Sequence, residues 1–172
     1  MSFNVDSWKS KVKENLPASM YKVAIYGSPV TYQDIMIRAE SITAPGISWL
    51  SVDNYSPYGN GKMYNIPYRF NPQEISVIHT IDDKGELLRQ FKDWADKIVD
   101  MPDTKMGAKY YNDYVARMEI YVYNRQGRTV KTYNLEEIFP MSVEPLNLSW
   151  GSSDELARFS VSYKYTKFKI VG

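Results

Sequence analysis

The sequence predicts a mainly β domain of the α+β class, an antiparallel β-sandwich or barrel with one flanking α-helix. Three observations lead to this fold class. Apolar and polar residues alternate with a period of two in about eight segments along the 172-residue chain. Turn signals rich in Gly, Pro and Asn separate these segments. Only one segment, at about residues 82–100, has strongly helical apolar spacing. The length suits a single domain over residues 1–172.

The alternation is most regular in residues 158–166. One face carries Phe159, Val161, Tyr163 and Tyr165, and the other carries Arg158, Ser160, Ser162, Lys164 and Thr166. A strand of this length spans about 30 Å, which is long for a domain of this size and leaves an edge that needs a partner. Lys167 stands where an apolar residue is due. Either a bulge occurs there or the strand ends. We expect the strand to end near Thr166 and residues 167–172 to form a tail that contacts a neighbour or hangs free.

The predicted helix has an apolar face and a charged face. Asp82 or Asp83 can cap its first amides, and Pro102 marks its end. Phe91 and Trp94 are its largest anchors to a sheet. The residues at helical spacing on the apolar face are Leu87, Leu88, Phe91, Trp94, Ala95 and Ile98.

Residues 48–68 predict a protruding hairpin with a glycine-containing tip at residues 56–61. Aromatic side chains on a long hairpin expose apolar area, which favours a contact arm for a neighbouring subunit. The alternative is a hairpin that folds back on its own core. The candidate contacts between subunits are Tyr55, Tyr58, Lys62, Tyr64 and Tyr68. Residues 1–17 predict a second, N-terminal arm or short helix.

The remaining strands follow from shorter alternating runs. We expect a corner at Pro140, between a strand that ends near Leu135 and another that begins at Met141. His79, within a predicted strand, is interpreted as a packed or edge residue and not as a ligand. The other predicted strands are residues 20–26, 35–41, 74–81, 115–123 and 128–135.

Composition argues against several classes of protein. The chain has no cysteine and a single histidine, which excludes disulfides and thiolate metal sites and disfavours histidine-based catalysis. A net charge of +1 argues against a dedicated duplex-binding surface. The sequence lacks an apolar run of about 20 residues and a secretion signal, so we expect assembly in a cytoplasm. Phosphate loops and catalytic triads are also absent, and we expect no enzyme, no cofactor and no metal site.

An ordered set of features in residues 20–166 resembles the tail tube proteins of contractile-tailed bacteriophages. The first features are the strand at residues 20–26, the turn Ala44-Pro45-Gly46 and the helix with Phe91-Lys92-Asp93-Trp94. The most specific part is the run Ile138-Phe139-Pro140, followed by Leu146-Asn147-Leu148-Ser149-Trp150 and an acidic, serine-rich turn at residues 151–155.

The resemblance implies a tail-tube fold and a structural role in the virion. Family members form hexameric rings that stack into a hollow tube, with sheet lining an inner β-barrel and the helix outside it. The implied partners are further copies of the chain, the tail sheath, the baseplate and the tail terminator, with double-stranded DNA in transit and not bound sequence-specifically. We expect the polar strand faces to line the lumen, with Ser142, Ser160 and Ser162 as candidates.

Several alternatives stay open. Within the class, the alternatives are a baseplate tube-initiator and the tube of a type VI secretion or phage-like injection system. Outside it, a ligand-binding β-barrel would be a monomer with an apolar cavity. A single-strand nucleic-acid binder would stack bases on tyrosines such as Tyr163 and Tyr165.

Overall fold

The computed structural model describes residues 16–28, 30, 35–36, 38–55, 63–99, 109–146 and 156–172. Within these ranges the chain is mainly strand, with one long helix, so the predicted fold class is confirmed. In chain order the elements are β1 (Tyr21–Tyr26), β2 (Ala39–Ile42), β3 (Trp49–Tyr55), β4 (Met63–Phe70), β5 (Ile75–Thr80), α1 (Glu86–Ile98), α2 (Tyr111–Tyr114), β6 (Ala116–Tyr123), β7 (Thr129–Val143), β8 (Arg158–Lys164) and β9 (Lys167–Val171).

One antiparallel sheet contains most of the strands. Its order is β1-β6-β7-β8-β5-β2, and β9 pairs with β7 beside this path. β3 and β4 form a separate two-stranded sheet. Among the described strands the pairing stops at β1 and at β2, so these pairs do not close the sheet into a barrel.

β7 joins two halves of the sheet. Its first half lies between β6 and β9, and its second half pairs with β8. Glu137, between the two halves, has a left-handed φ of 56°. Opposite this bend the neighbouring strand is also interrupted, between the end of β8 and the start of β9. There the amide of Thr166 donates to the carbonyl oxygen of Glu136 at 3.2 Å. The two aligned irregularities let both strands turn together from one half of the sheet into the other.

The predicted corner at Pro140 is wrong. β7 continues through Pro140, and the turn in the chain is at Glu137. Proline lacks an amide hydrogen, so a strand tolerates it at an edge or at a bulge. Pro140 meets both conditions, because the register shifts between Pro140 and Ser142 and the second half of β7 lies at an edge of the described sheet.

The core fills the space between the sheet and α1. The predicted inward faces of β5 and β8 are buried, as are Leu87, Phe91 and Trp94 of the apolar stripe of α1. The other members of that stripe, Leu88, Ala95 and Ile98, are half-buried. The ring of Phe91 contacts the rings of Phe159 and Tyr163, with centroids 5.8 and 6.3 Å apart. The indole of Trp94 donates to the carbonyl oxygen of Tyr114 at 2.8 Å, which satisfies its buried N–H.

The start of α1 confirms the predicted role of Asp82. Its carboxylate accepts hydrogen bonds from the amides of Glu86 and Leu87 at 3.2 and 3.3 Å. Desolvation alone would raise the pKa of this carboxyl, but the amide hydrogen bonds outweigh it and the pKa is lowered. The preceding Gly85 takes a left-handed φ of 63°, which admits the chain into the helix at little steric cost.

Two further expectations are wrong. The strand predicted at residues 35–41 begins only at Ala39, and Ile35, Met36 and Arg38 have helical backbone. Residues 167–172 do not form a free tail, because Lys167–Val171 is strand β9 and pairs with residues 132–136 of β7. Phe168 faces the core although two lysines flank it, so β9 is an amphipathic edge strand.

Within the predicted hairpin, β3 and β4 pair antiparallel, and its role as a contact arm stays a prediction. Its tip at residues 56–62 lies outside the described residues, as does most of the predicted N-terminal arm, residues 1–15.

His79 is packed in the core, as predicted. Its ring lies between Phe91 and Phe159, with centroids 5.3 and 5.5 Å away. The side chain is fully buried, and neither ring nitrogen has a hydrogen-bond partner among the described residues. Burial lowers the pKa of His79 from its ordinary value of 6.5 to about 4. The imidazole is therefore neutral at physiological pH.

We predict that His79 makes the subunit sensitive to acid. Unfolding exposes a histidine that binds a proton below pH 6.5. The free energy of unfolding therefore decreases progressively as the pH falls from 6.5 to 4. The loss amounts to about 3 kcal/mol at pH 4. In urea unfolding, a His79→Leu variant should lose that much less stability than the wild type between pH 7 and pH 4. Equal losses in the two proteins would contradict the assignment.

Candidate functional site

A row of serines covers the sheet face that points away from the core. Ser142, Ser162 and Ser76 are register partners across β7, β8 and β5. Ser160 lies opposite Ile78, which lies opposite Ser41 on β2. We call this surface the hydroxyl face. It is formed by Ser41, Ser76, Ser142, Ser160 and Ser162.

The hydroxyl face has paired charges at its two ends. At one end Arg158 Nε donates to Glu40 Oε2 at 2.5 Å, and at the other Lys164 Nζ lies 3.4 Å from Glu74 Oε1. Between them the hydroxyls of Ser76 and Ser160 share a hydrogen bond of 2.9 Å. These two ion pairs carry no net charge, so the face has no field of one sign. It presents small hydroxyl groups and one larger apolar side chain, Ile78, which is 36% exposed.

The other face of the same strands is apolar and covered. Val77, Val161 and Tyr163 alternate with the serines and are buried beneath α1. Burial raises the pKa of Tyr163 well above its ordinary value. The period of two therefore gives this part of the sheet one face that is fixed to its own helix and one that is free for another role.

Two edges of this part of the sheet have no strand partner among the described residues. One is β2, and the other is the second half of β7, residues 139–143. Each edge carries a register shift, at Glu40 in β2 and at Met141 in β7. Bulges restrict an edge to partners that match its altered twist. Met141 is also a large apolar side chain that is 54% exposed.

Tyr21 of β1 reaches the β2 edge. Its hydroxyl donates to the carbonyl oxygen of Glu40 at 2.5 Å. Burial, followed by the negative charge of Glu40, raises the pKa of Tyr21. The bond ties the first strand of the sheet to the last, and it satisfies one carbonyl that the bulge leaves out of the ladder.

The predicted serines come together, whereas only part of the predicted contact set is described. Ser142 is exposed, and Ser160 and Ser162 are half-buried on the hydroxyl face. Tyr68 is 65% exposed on the hairpin. Tyr55 and Tyr64 belong to the paired hairpin strands, and Tyr58 and Lys62 lie outside the described residues.

Sequence reasoning missed the rest of this surface. Ser76 alternates with Ile75 and Val77, so its outward direction was available from the pattern. Its neighbours were not, because the pairing of β5 with β8 joins residues more than 80 positions apart, as the Ser76–Ser160 hydrogen bond does with a separation of 84. The two open edges could not be predicted either, because they are known only once the order of the strands in the sheet is known.

The described residues contain no group of three or more His, Cys, Asp or Glu arranged to hold a metal ion. A search of the same residues finds no helix whose length and hydropathy would let it span a membrane.

A family model described as phage tail tube protein matches residues 3–171. No curated protein matches the sequence.

Solved structures share the fold at low sequence identity. A chain from the sheath-tube complex of an extracellular contractile injection system (PVC) has a TM-score of 0.66 and 16% identity, with 99% of both chains covered. A chain from the sheath/tube terminator of that system has a TM-score of 0.68 and 15% identity, covering 94% of this chain and 99% of the other. A chain from the baseplate of the anti-feeding prophage has a TM-score of 0.69 and 12% identity, covering 94% and 98%.

Proposed function

Because the chain belongs to the phage tail tube protein family, we propose that it forms hexameric rings that stack into the hollow inner tube of a contractile phage tail. The tube is the conduit through which the genome leaves the virion. The observation that carries this proposal is the four-stranded half of the sheet, with its hydroxyl face, its helix-covered face and its two open edges. The chain acts as a structural part, without catalysis and without a cofactor.

In the proposed ring the hydroxyl face lines the lumen and α1 lies outside. Ser142, Ser160 and Ser162 then border the passing polymer. A polymer that must slide needs a wall without strong binding sites, and small hydroxyls with internally paired charges provide one. The covered face cannot take this place, because α1 packs across it through Phe91 and Trp94.

Ring closure joins the two open edges. The β2 edge of one subunit meets residues 139–143 of the next, and repetition of this head-to-tail contact closes the ring. Closure satisfies the edge backbone groups and covers Met141. The hairpin, with Tyr55, Tyr58, Lys62, Tyr64 and Tyr68 as candidate contacts, joins one ring to the next.

The partners follow from the place of the tube in a tail. They are the sheath around it, the baseplate below it and the terminator above it, with double-stranded DNA passing through without sequence-specific binding. Assembly takes place in the host cytoplasm, and the product is part of the virion.

The tube of a phage-like injection device is the second candidate function. The similar solved structures from injection systems favour it, since they share the fold over nearly the whole chain. A baseplate tube-initiator or a type VI secretion tube is compatible with the same surfaces. In an injection device or a type VI secretion system the cargo would be protein. The hydroxyl face suits DNA and protein alike. Sheath, baseplate and terminase genes beside this one would decide between them.

Electron microscopy of the purified protein tests the proposal. We expect six-fold rings or long hollow tubes. A protein that stays monomeric at high concentration would contradict the proposal.

A substitution at the β7 edge tests ring closure. Met141→Asp places a charge on the edge that the next subunit must approach, so rings should be lost while the monomer stays folded. Val130→Asp, at the other end of β7 and also exposed, is the matched control and should leave rings intact. Sedimentation velocity and circular dichroism measure the two properties. Rings of normal size in the Met141→Asp protein would contradict this edge contact.

Single cysteines test which face lines the lumen, because the native chain has none. In assembled tubes, Ser142→Cys should react with a small maleimide but not with a maleimide on a carrier too wide for the lumen. Lys97→Cys, on an exposed part of α1 outside the groove described below, should react with both reagents. Reaction of Ser142→Cys with the wide carrier in intact tubes would place the hydroxyl face outside.

A further inference from the structure

The hairpin of β3 and β4 exposes an apolar face that its own subunit does not cover. Leu50 and Val52 lie on one side of β3, and their register partners Arg69 and Ile66 continue that side on β4. The three apolar side chains are 39%, 55% and 46% exposed for Leu50, Val52 and Ile66. We call this surface the hairpin face. An isolated two-stranded sheet is marginally stable in water, so this face needs a partner.

On its other side the hairpin is anchored to its own subunit at the root, through Phe70, while Trp49 stays 61% exposed. Trp49 packs edge-on against Phe70, with ring centroids 5.9 Å apart, and Phe70 packs against Phe168 of β9 at 5.8 Å. The root is therefore fixed by aromatic contacts. The anchoring directs the hairpin face outward in a defined orientation and leaves it available to another molecule.

A complementary groove lies elsewhere on the same chain. It runs between α1 and the segment that follows β7, with a volume of about 520 Å³. Its lining is mostly apolar, and three charged side chains also border it: Arg89, Lys92 and Glu144. We call it the helix groove. The apolar side chains along it are Leu88, Ala95, Val143, Pro145 and Leu146.

The hairpin and the groove lie at opposite ends of the four-stranded half of the sheet. The hairpin leaves β2 near Ile42 and returns to β5 at Ile75, the end that also holds Tyr163. The groove adjoins Val143, which pairs with Val161 toward the start of β8. The two surfaces also lie on opposite edges, since β2 and β7 are the outer strands. One copy cannot bring them together, but a copy displaced along the strands can.

We propose that the hairpin face of one copy docks in the helix groove of a second copy in the adjacent ring. This inference rests on the proposed tube and names the receptor of its axial contact. A contact between different surfaces at opposite ends of a subunit propagates without closing, as stacked rings require. The charges at the groove allow this docking, because Arg89 and Lys92 are already paired on α1 with Glu86 and Asp96, at 2.6 and 3.2 Å. Glu144 is then the groove charge that Arg69 of the hairpin face would meet, beside apolar surfaces on both sides.

Crosslinking in assembled tubes tests the docking. A double variant carries Val52→Cys in the hairpin face and Pro145→Cys in the groove, and both native side chains are exposed. A flexible bismaleimide, which does not need disulfide geometry, should link copies into a ladder longer than one ring. The matched control pairs Val52→Cys with Val130→Cys, at the far end of β7, and each single variant is a second control. None of the controls should give the ladder.

A charge swap provides an independent test with milder changes. Arg69→Glu and Glu144→Arg should each convert tubes into single rings, and the double swap should restore tubes. Arg128→Glu, in the exposed turn before β7, is the control and should leave tubes unchanged.

The outcomes separate this inference from the proposed function. Tubes that form without the crosslinked ladder, or single swaps that leave stacking intact, overturn the docking while the tube remains. A double swap that fails to restore stacking also overturns it. A wild-type chain that never forms rings, and gives no ladder, overturns both proposals.

Discussion

Backbone N–H and C=O groups at the edge of a sheet need partners, and the rest of this structure depends on how β2 and the second half of β7 meet that need. Both edges are short, bulged and next to a polar face, so they are poor templates for unspecific aggregation. Tyr21 satisfies one carbonyl at the β2 bulge from within the subunit. In the proposed ring the next copy satisfies the others, and assembly becomes the completion of the sheet.

The core decides which face of that sheet is free. Phe91 and Trp94 fix α1 against Phe159 and Tyr163, so the apolar side is filled before any second copy arrives. The bend at Glu137 then separates this half from the half that holds β1, β6 and β9. The first half of β7 belongs to the subunit's own fold, while the second half presents an edge. A single long strand thus connects folding with the proposed assembly.

Local patterns predicted what local chemistry controls. The alternation in β8 and the apolar stripe of α1 gave the right faces, because burial selects side chains directly. Pairing partners were out of reach, since they depend on contacts between distant residues. The sequence predicts a tail instead of β9 because Lys167 stands where an apolar residue is due. It predicts a corner at Pro140 because an edge that tolerates proline is not visible in the sequence. The three predicted serines fell on one surface, but Ser41, Ser76 and the helix groove emerged only from the fold.

A cryo-electron microscopy map of the wild-type assembly tests the central claim most directly. The account predicts six copies per ring, with β2 of one copy hydrogen-bonded along residues 139–143 of the next, the hydroxyl face on the lumen and α1 outside. A ring in which α1 lines the lumen would contradict the account. So would an assembly in which β2 and residues 139–143 both remain exposed to solvent.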